Sequence, residues 1–90
     1  MKIMKKNGTE IEIKDEVYTA ILEQLSSFPF KDEYVTYGKI FSTIKPKLVE
    51  VLGEAVWYVS AVVEQLVITG KISEMRDNET SLYKIESKEL

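Results

Sequence analysis

This chain of 90 residues contains no cysteine and no histidine. Without cysteine there is no disulfide framework, no thiolate nucleophile and no zinc finger. Without histidine the commonest general base and the commonest metal ligand are both missing, and a Ser-His relay cannot be built. An enzyme would have to work with carboxylates, lysine or tyrosine alone. Positive charge is also scarce: 12 Lys and Arg stand against 15 Asp and Glu, for a net charge of −3. Nucleic-acid binders usually carry a basic surplus, because affinity comes largely from neutralised phosphates and released counterions. No Lys or Arg occurs anywhere between Glu54 and Gly70. A run of about 18 apolar residues is missing too, which speaks against a transmembrane helix. The opening Met1-Lys2-Ile3-Met4-Lys5-Lys6-Asn7-Gly8 meets charge and turn residues too early for a signal-peptide apolar region. A cytoplasmic location is the expectation.

What is present suits one small domain with a single core: 44% apolar and 30% charged residues are ordinary for a soluble globular chain. Residues 1–14 read as an N-terminal strand or hairpin, 15–85 as the domain body and 86–90 as a short charged tail. Asn7-Gly8 is the favoured pair for a two-residue type I′ turn, which would place Lys5 opposite Glu10 and Met4 opposite Ile11. One hairpin face is then apolar, and the other carries Ile3 among charges. The alternative is a frayed tail from which only Ile11 and Ile13 join a sheet. A first helix is predicted from about Asp15 to Ser27, with acids in its first turn and Val17, Tyr18, Ile21, Leu22 and Leu25 as the core-facing set. Ser26 to Glu33 reads as a loop.

Thr36 is a good N-cap for a second helix carrying Tyr37, Ile40, Phe41 and Ile44 on one side. Pro46 lacks an N–H, so this helix is expected to end by Ile44 or Lys45, with a short extra turn from Pro46 to Leu52 closed by Gly53. A third helix spans roughly Glu54 to Thr69, with Ala55, Val59, Val62, Val63 and Leu66 on its core face. Gly70 fits the left-handed position just past a helix end. A hairpin follows: Ile72 to Arg76, a turn at Asp77-Asn78-Glu79-Thr80, then Ser81 to Ile85.

The order helix, Gly70, Ile72 and paired strands, with Val59, Val63 and Leu66 spaced before it, resembles the recognition helix and wing of the winged-helix (winged helix-turn-helix) DNA-binding superfamily. The segment Tyr34-Val35-Thr36-Tyr37-Gly38-Lys39-Ile40 is similar to the V-T-Y-G-x-I opening of the helix-turn-helix in alkyltransferase-type repair domains, whose reactive cysteine motif is absent here. The resemblance covers about residues 15 to 85. It implies an α+β winged-helix domain with three main helices, a C-terminal β-hairpin wing and sequence-guided binding to duplex DNA.

In that family the outward face of the third helix reads base edges with Arg, Lys, Asn or Gln. Here the residues opposite the core stripe are Trp57, Ser60, Ala61, Glu64 and Ile68. Trp57, Ala61, Glu64 and Ile68 fall on one line along an ideal helix, and a helix this apolar all round is normally covered on more than one side. Three readings follow: an interface with a second copy or another protein, a surface covered within the monomer by the N-terminal hairpin or the Pro46–Leu52 segment, or direct base reading. The basic residues placed to meet phosphates are Lys39, Lys45 and Lys47 on or after the second helix, with Arg76 and Lys84 in the wing. Asp77 and Glu79 occupy the wing tip, and scattered lysines on a solvated surface are the plainer reading.

The acid pairs Glu10/Glu12, Asp15/Glu16 and Asp32/Glu33 give no sign of converging in a cleft, so no enzyme, metal site or cofactor is expected. Asn7-Gly8-Thr9 and Asn78-Glu79-Thr80 match the glycosylation triplet but coincide with predicted turns. The functional expectation is a small, dimeric winged-helix DNA-binding regulator that contacts mainly phosphates. The alternative is a protein-interaction module using an apolar third helix for self-association or partner binding without DNA. The expected partners are duplex DNA, a second copy or another protein, with no membrane and no small-molecule substrate.

Overall fold

Hydrophobic periodicity sorts the chain into two helical bodies and two small antiparallel sheets, an α+β domain that the computed structural model describes over all residues Met1–Leu90. The elements in order are β1 (Lys2–Met4), β2 (Glu10–Glu12), α1 (Asp15–Ser26), β3 (Tyr34–Thr36), α2 (Tyr37–Leu52), a 3-10 helix (Gly53–Tyr58), α3 (Val59–Ile68), β4 (Ile72–Asp77) and β5 (Thr80–Ile85). Strands β1 and β2 form one sheet, and the second has the order β3-β5-β4. Its radius of gyration is 12.4 Å.

Helix α1 follows the predicted span to within a residue, with Asp15 and Glu16 at its positive end and Ile21 and Leu25 fully buried. The loop after it is tied to the far end of the chain. Asp32, at φ +64°, donates its N–H to the Ile85 carbonyl at 2.9 Å, and its carboxylate accepts from the Ser87 N–H at 3.1 Å and the Ser87 hydroxyl at 2.9 Å. These bonds to Ser87 hold the Asp32 carboxyl below the usual carboxylate range. The anchored loop delivers β3, a strand absent from the sequence reading, to β5 with Val35 opposite Tyr83. Three residues are too few to show alternation, and the strand exists because β5 supplies its ladder.

The second and third helices of the sequence reading are not separated as expected, because a 3-10 segment joins them directly. Thr36 caps α2 as expected, its hydroxyl accepting the Lys39 N–H at 3.1 Å. The helix then runs through Pro46 to Leu52 instead of stopping at Lys45. Pro46 and Ser42, whose carbonyl loses its helical donor, both face solvent, so water can take the vacant acceptor. Ile44 and Leu48 are buried on either side of the proline and hold the helical path. At Gly53 φ swings to +58°, yet the chain re-enters helix at once, as a 3-10 turn and then α3.

The resulting helical stretch, Tyr37–Ile68, is 32 residues long and passes a length-and-composition criterion for crossing a membrane that counting unbroken apolar residues had not met. It is not one rod: the positive φ at Gly53 and the change of helix type divide it, and Ile40, Ile44, Leu48, Val59, Val62 and Leu66 form the core of the domain.

Gly70 takes φ +82°, and the Lys71 N–H reaches the Leu66 carbonyl at 2.8 Å while the Gly70 N–H reaches that of Val67 at 3.1 Å. This is the Schellman closure of α3. Strands β4 and β5 pair from Ile72↔Ile85 to Asp77↔Thr80 around a two-residue turn in which Asn78 has φ +58°.

The N-terminal hairpin forms, but one residue out of the expected register. Ile3 pairs with Ile11 and Met4 with Glu10, so Ile3 is buried and Met4 exposed, the reverse of the sequence reading. A type I′ turn needs positive φ at both Asn7 and Gly8, and only Gly8 has it, at +86°. Asn7 instead accepts the Thr9 N–H on its side-chain oxygen at 2.9 Å, and the loop closes as three residues with Lys5 N–H to Thr9 carbonyl at 2.8 Å. A slip of one residue turns every side chain to the other face. All sixteen buried residues are apolar, which leaves no polar group inside to explain.

Candidate functional site

The 3-10 segment decides what the chain presents. At three residues per turn, positions i and i+3 eclipse, so Gly53–Tyr58 carries three separate rows instead of the gradual drift of an α-helix. Val56 and Val59 form the inward row and are buried. Ala55 and Tyr58 form a second row and line a groove. Glu54 and Trp57 form the third and face water, with Trp57 79% exposed. Val51, one turn back in α2, is 73% exposed. Trp57 and Val51 are the two most exposed large apolar side chains of the molecule.

The groove beside them measures about 480 Å³ and is lined by Val17, Val51, Leu52, Ala55 and Tyr58, with Glu12 and Lys14 at its rim. Helix α1 contributes Val17, the end of α2 contributes Val51 and Leu52, β2 contributes Glu12, and the residue just before α1 is Lys14. Sequence reasoning found Trp57 but missed Val51 and Tyr58 as its companions. Reading residues 53–58 at three per turn would have separated the two rows.

The predicted line Trp57, Ala61, Glu64, Ile68 does not survive as one surface. Ala61 is 4% exposed and cannot be an interface residue of the folded monomer. The N-terminal hairpin lies against α3 through β1. Its tip reaches Glu64, whose carboxylate accepts the Lys6 N–H at 3.3 Å. The Lys6 ammonium is held more firmly by Glu74 of β4, at 2.6 and 2.7 Å to the two oxygens. That pairing raises the Lys6 pKa and holds the Glu74 carboxyl below the usual range. Glu64 is therefore half-buried under the hairpin tip, and Ile68 stands exposed at the far end of α3, cut off from Trp57. The line thus divides: Ala61 is buried within the chain, and Trp57 is open to solvent.

The predicted basic residues are not gathered on one face. Because α2 is helical through Pro46, Lys45 and Lys47 lie about 160° apart around it. The Lys45 ammonium sits 5.6 Å from the Phe41 ring centre, on one flank. Lys47 lies on the other flank, in a shallow cleft with Gln24, Ser27 and Phe28. The Lys39 ammonium is over the Phe30 ring at 4.4 Å. Lys84 is on the opposite sheet face from Glu74, 5.0 Å from the Tyr34 ring centre and 3.7 Å from Glu86. Arg76 is exposed near the β4–β5 turn opposite Ser81, next to Asp77. Lys39, Lys45, Lys47 and Arg76 have no carboxylate within ion-pair range. No three carboxylates come together in a cluster that could hold a cation. The chain matches no protein-family model, no curated protein and no solved structure, so its site stands on its own residues.

Proposed function

We propose that the chain is a winged-helix scaffold working as a protein-interaction module, with the Trp57–Val51 surface and its groove as the contact site. The connectivity supports the scaffold reading: a helix, a short strand, a helical body, Gly70 and a hairpin, with the short strand pairing on the second hairpin strand. The observation that carries the functional reading is the 79% exposure of the Trp57 side chain on a segment with no cation from Glu54 to Gly70. A large aromatic in water beside an apolar groove is the pattern of an interface anchor. Base reading would instead need donors along α3, whose exposed residues are Ser60 and Ile68.

A second reading, the DNA-binding regulator, is favoured by one observation: Lys39, Lys45, Lys47 and Arg76 are exposed and free of ion pairs. Fluorescence anisotropy of a labelled mixed-sequence duplex at about 50 mM salt decides between them. The interaction reading expects no saturable binding in the micromolar range. Saturable binding that weakens steeply with salt and disappears on replacing these four residues by alanine would overturn it.

A further inference from the structure

The interaction reading leaves the partner open, and the geometry around Trp57 narrows it. Knob and hole are neighbouring rows of one 3-10 turn: Trp57 projects from one, Ala55 and Tyr58 floor the groove from the next. The two rows are about 120° apart around the segment, so a chain cannot place its own indole in its own groove. A second chain related by a twofold axis beside this turn can do so, and twice, because an isologous interface uses each patch once in each direction. The groove's rim has the same property in charge. Its lining includes one acid, Glu12, and one base, Lys14. Across a twofold axis, Lys14 of each chain meets Glu12 of the other, so the patch is complementary to itself. Glu12 faces the N-terminal ammonium at 3.6 Å but is exposed, and Lys14 has no ion-pair partner in its own chain.

We infer that this face binds a second copy of the chain, with Trp57 of each protomer seated in the groove between Val51 and Tyr58 of its partner and a Lys14–Glu12 pair at each rim. The inference rests on the interaction reading and adds the occupant. It also gives Val51 a reason to stand exposed at the groove edge, since it would be covered in the dimer.

Trp57 is the chain's one tryptophan, so its fluorescence reports on this site alone. From about 10 µM to about 1 mM, its emission shifts to the blue as the mass in solution scattering doubles. Trp57→Ser weakens dimerisation by at least about 30-fold, as removal of a central aromatic anchor does. The folded monomer is retained by circular dichroism, since the side chain touches little within its own chain. Glu12→Lys and Lys14→Glu each hinder self-association, one by placing two lysines and the other by placing two glutamates across each rim. Mixed together, the two variants restore dimers, as heterodimers. A wild-type chain that stays monomeric with water-like Trp57 emission throughout this range overturns the inference. So does a dimer that ignores Trp57→Ser, or one that forms only when a small apolar molecule is added. DNA binding in the anisotropy experiment would overturn the underlying reading. A monomer that binds no DNA removes the second copy alone.

Discussion

Trp57 and Ala61 are four residues apart in an apolar stretch and would share one face of an ideal helix, yet one is 79% exposed and the other 4%. The difference lies in two pieces of local geometry and one long-range contact. The 3-10 turn before Val59 moves Trp57 out of the line of α3, and Ala61 is buried in the core of α3, against which the N-terminal hairpin packs through β1. The same composition thus serves as core in one region and as open surface in the other. A helix that is apolar all round is normally covered on more than one side, and in this chain the cover stops short of Trp57.

The largest expected effect separates these two positions directly. Ala61→Glu places a carboxylate at a buried position with no room and no partner, and should destabilise the fold by about 3 kcal/mol or more. Trp57→Glu, at an exposed position, should change stability in dilute solution by no more than about 0.5 kcal/mol. Urea unfolding of both variants reads the contrast, and similar losses would mean that the two sites are not differently covered. Next in size, Ile3→Ala removes the hairpin's buried anchor and should cost about 2–4 kcal/mol. The loosened hairpin should expose α3 and raise the binding of a hydrophobic dye, whereas a stable variant with no dye binding would place the cover elsewhere.

Gly53 tests the other half of the comparison, the joint that displaces Trp57. Its φ of +58° disfavours any side chain, although a Cβ there would meet nothing within 4 Å. Gly53→Ala should therefore cost about 1–2 kcal/mol of backbone strain alone. Restored stability together with a changed Trp57 emission would show the joint relaxing into continuous helix.

The smallest effect belongs to Lys6 and Glu74. Both side chains are partly solvated, so a double-mutant cycle should give a coupling of about 0.5 kcal/mol. Glu74 titrates below its ordinary value in the folded chain, so its contribution is complete above the usual carboxylate range and is lost as pH falls through the lowered pKa. Lys6 is raised, so its share is present below the ordinary lysine value and is lost as pH rises through the raised pKa. Hydrogen exchange of the β1–β2 amides should accelerate at both limits. Exchange indifferent to acid would show that apolar contacts alone hold the hairpin.

Much of the scaffold was legible in the residues. The Thr36 cap, the Gly70 terminator, the helix-1 stripe and the second hairpin each depend on neighbours within a few positions, and local physics is what a sequence displays. Pro46 misled for the same reason. Its cost is local and real, but buried Ile44 and Leu48 outweigh it, and the vacant carbonyl lies in water. Strand β3 was invisible because its pairing partner is almost fifty residues away. Of the candidate site, Trp57 was found and Ala61 misplaced, since assuming one helix type from Glu54 onward assigns every side chain a wrong direction at the joint.

What the sequence by itself determined is the set of locally coded elements and the chemistry that is missing: no thiol, no imidazole and no cation along the third helix. Tertiary structure alone decided the hairpin register, the split of Trp57 from Ala61 and the scattering of Lys39, Lys45 and Lys47 around α2. The physical reason is that burial is a property of pairs of surfaces. A residue's hydrophobicity states how much it gains by being covered, and only the packed chain states what is there to cover it.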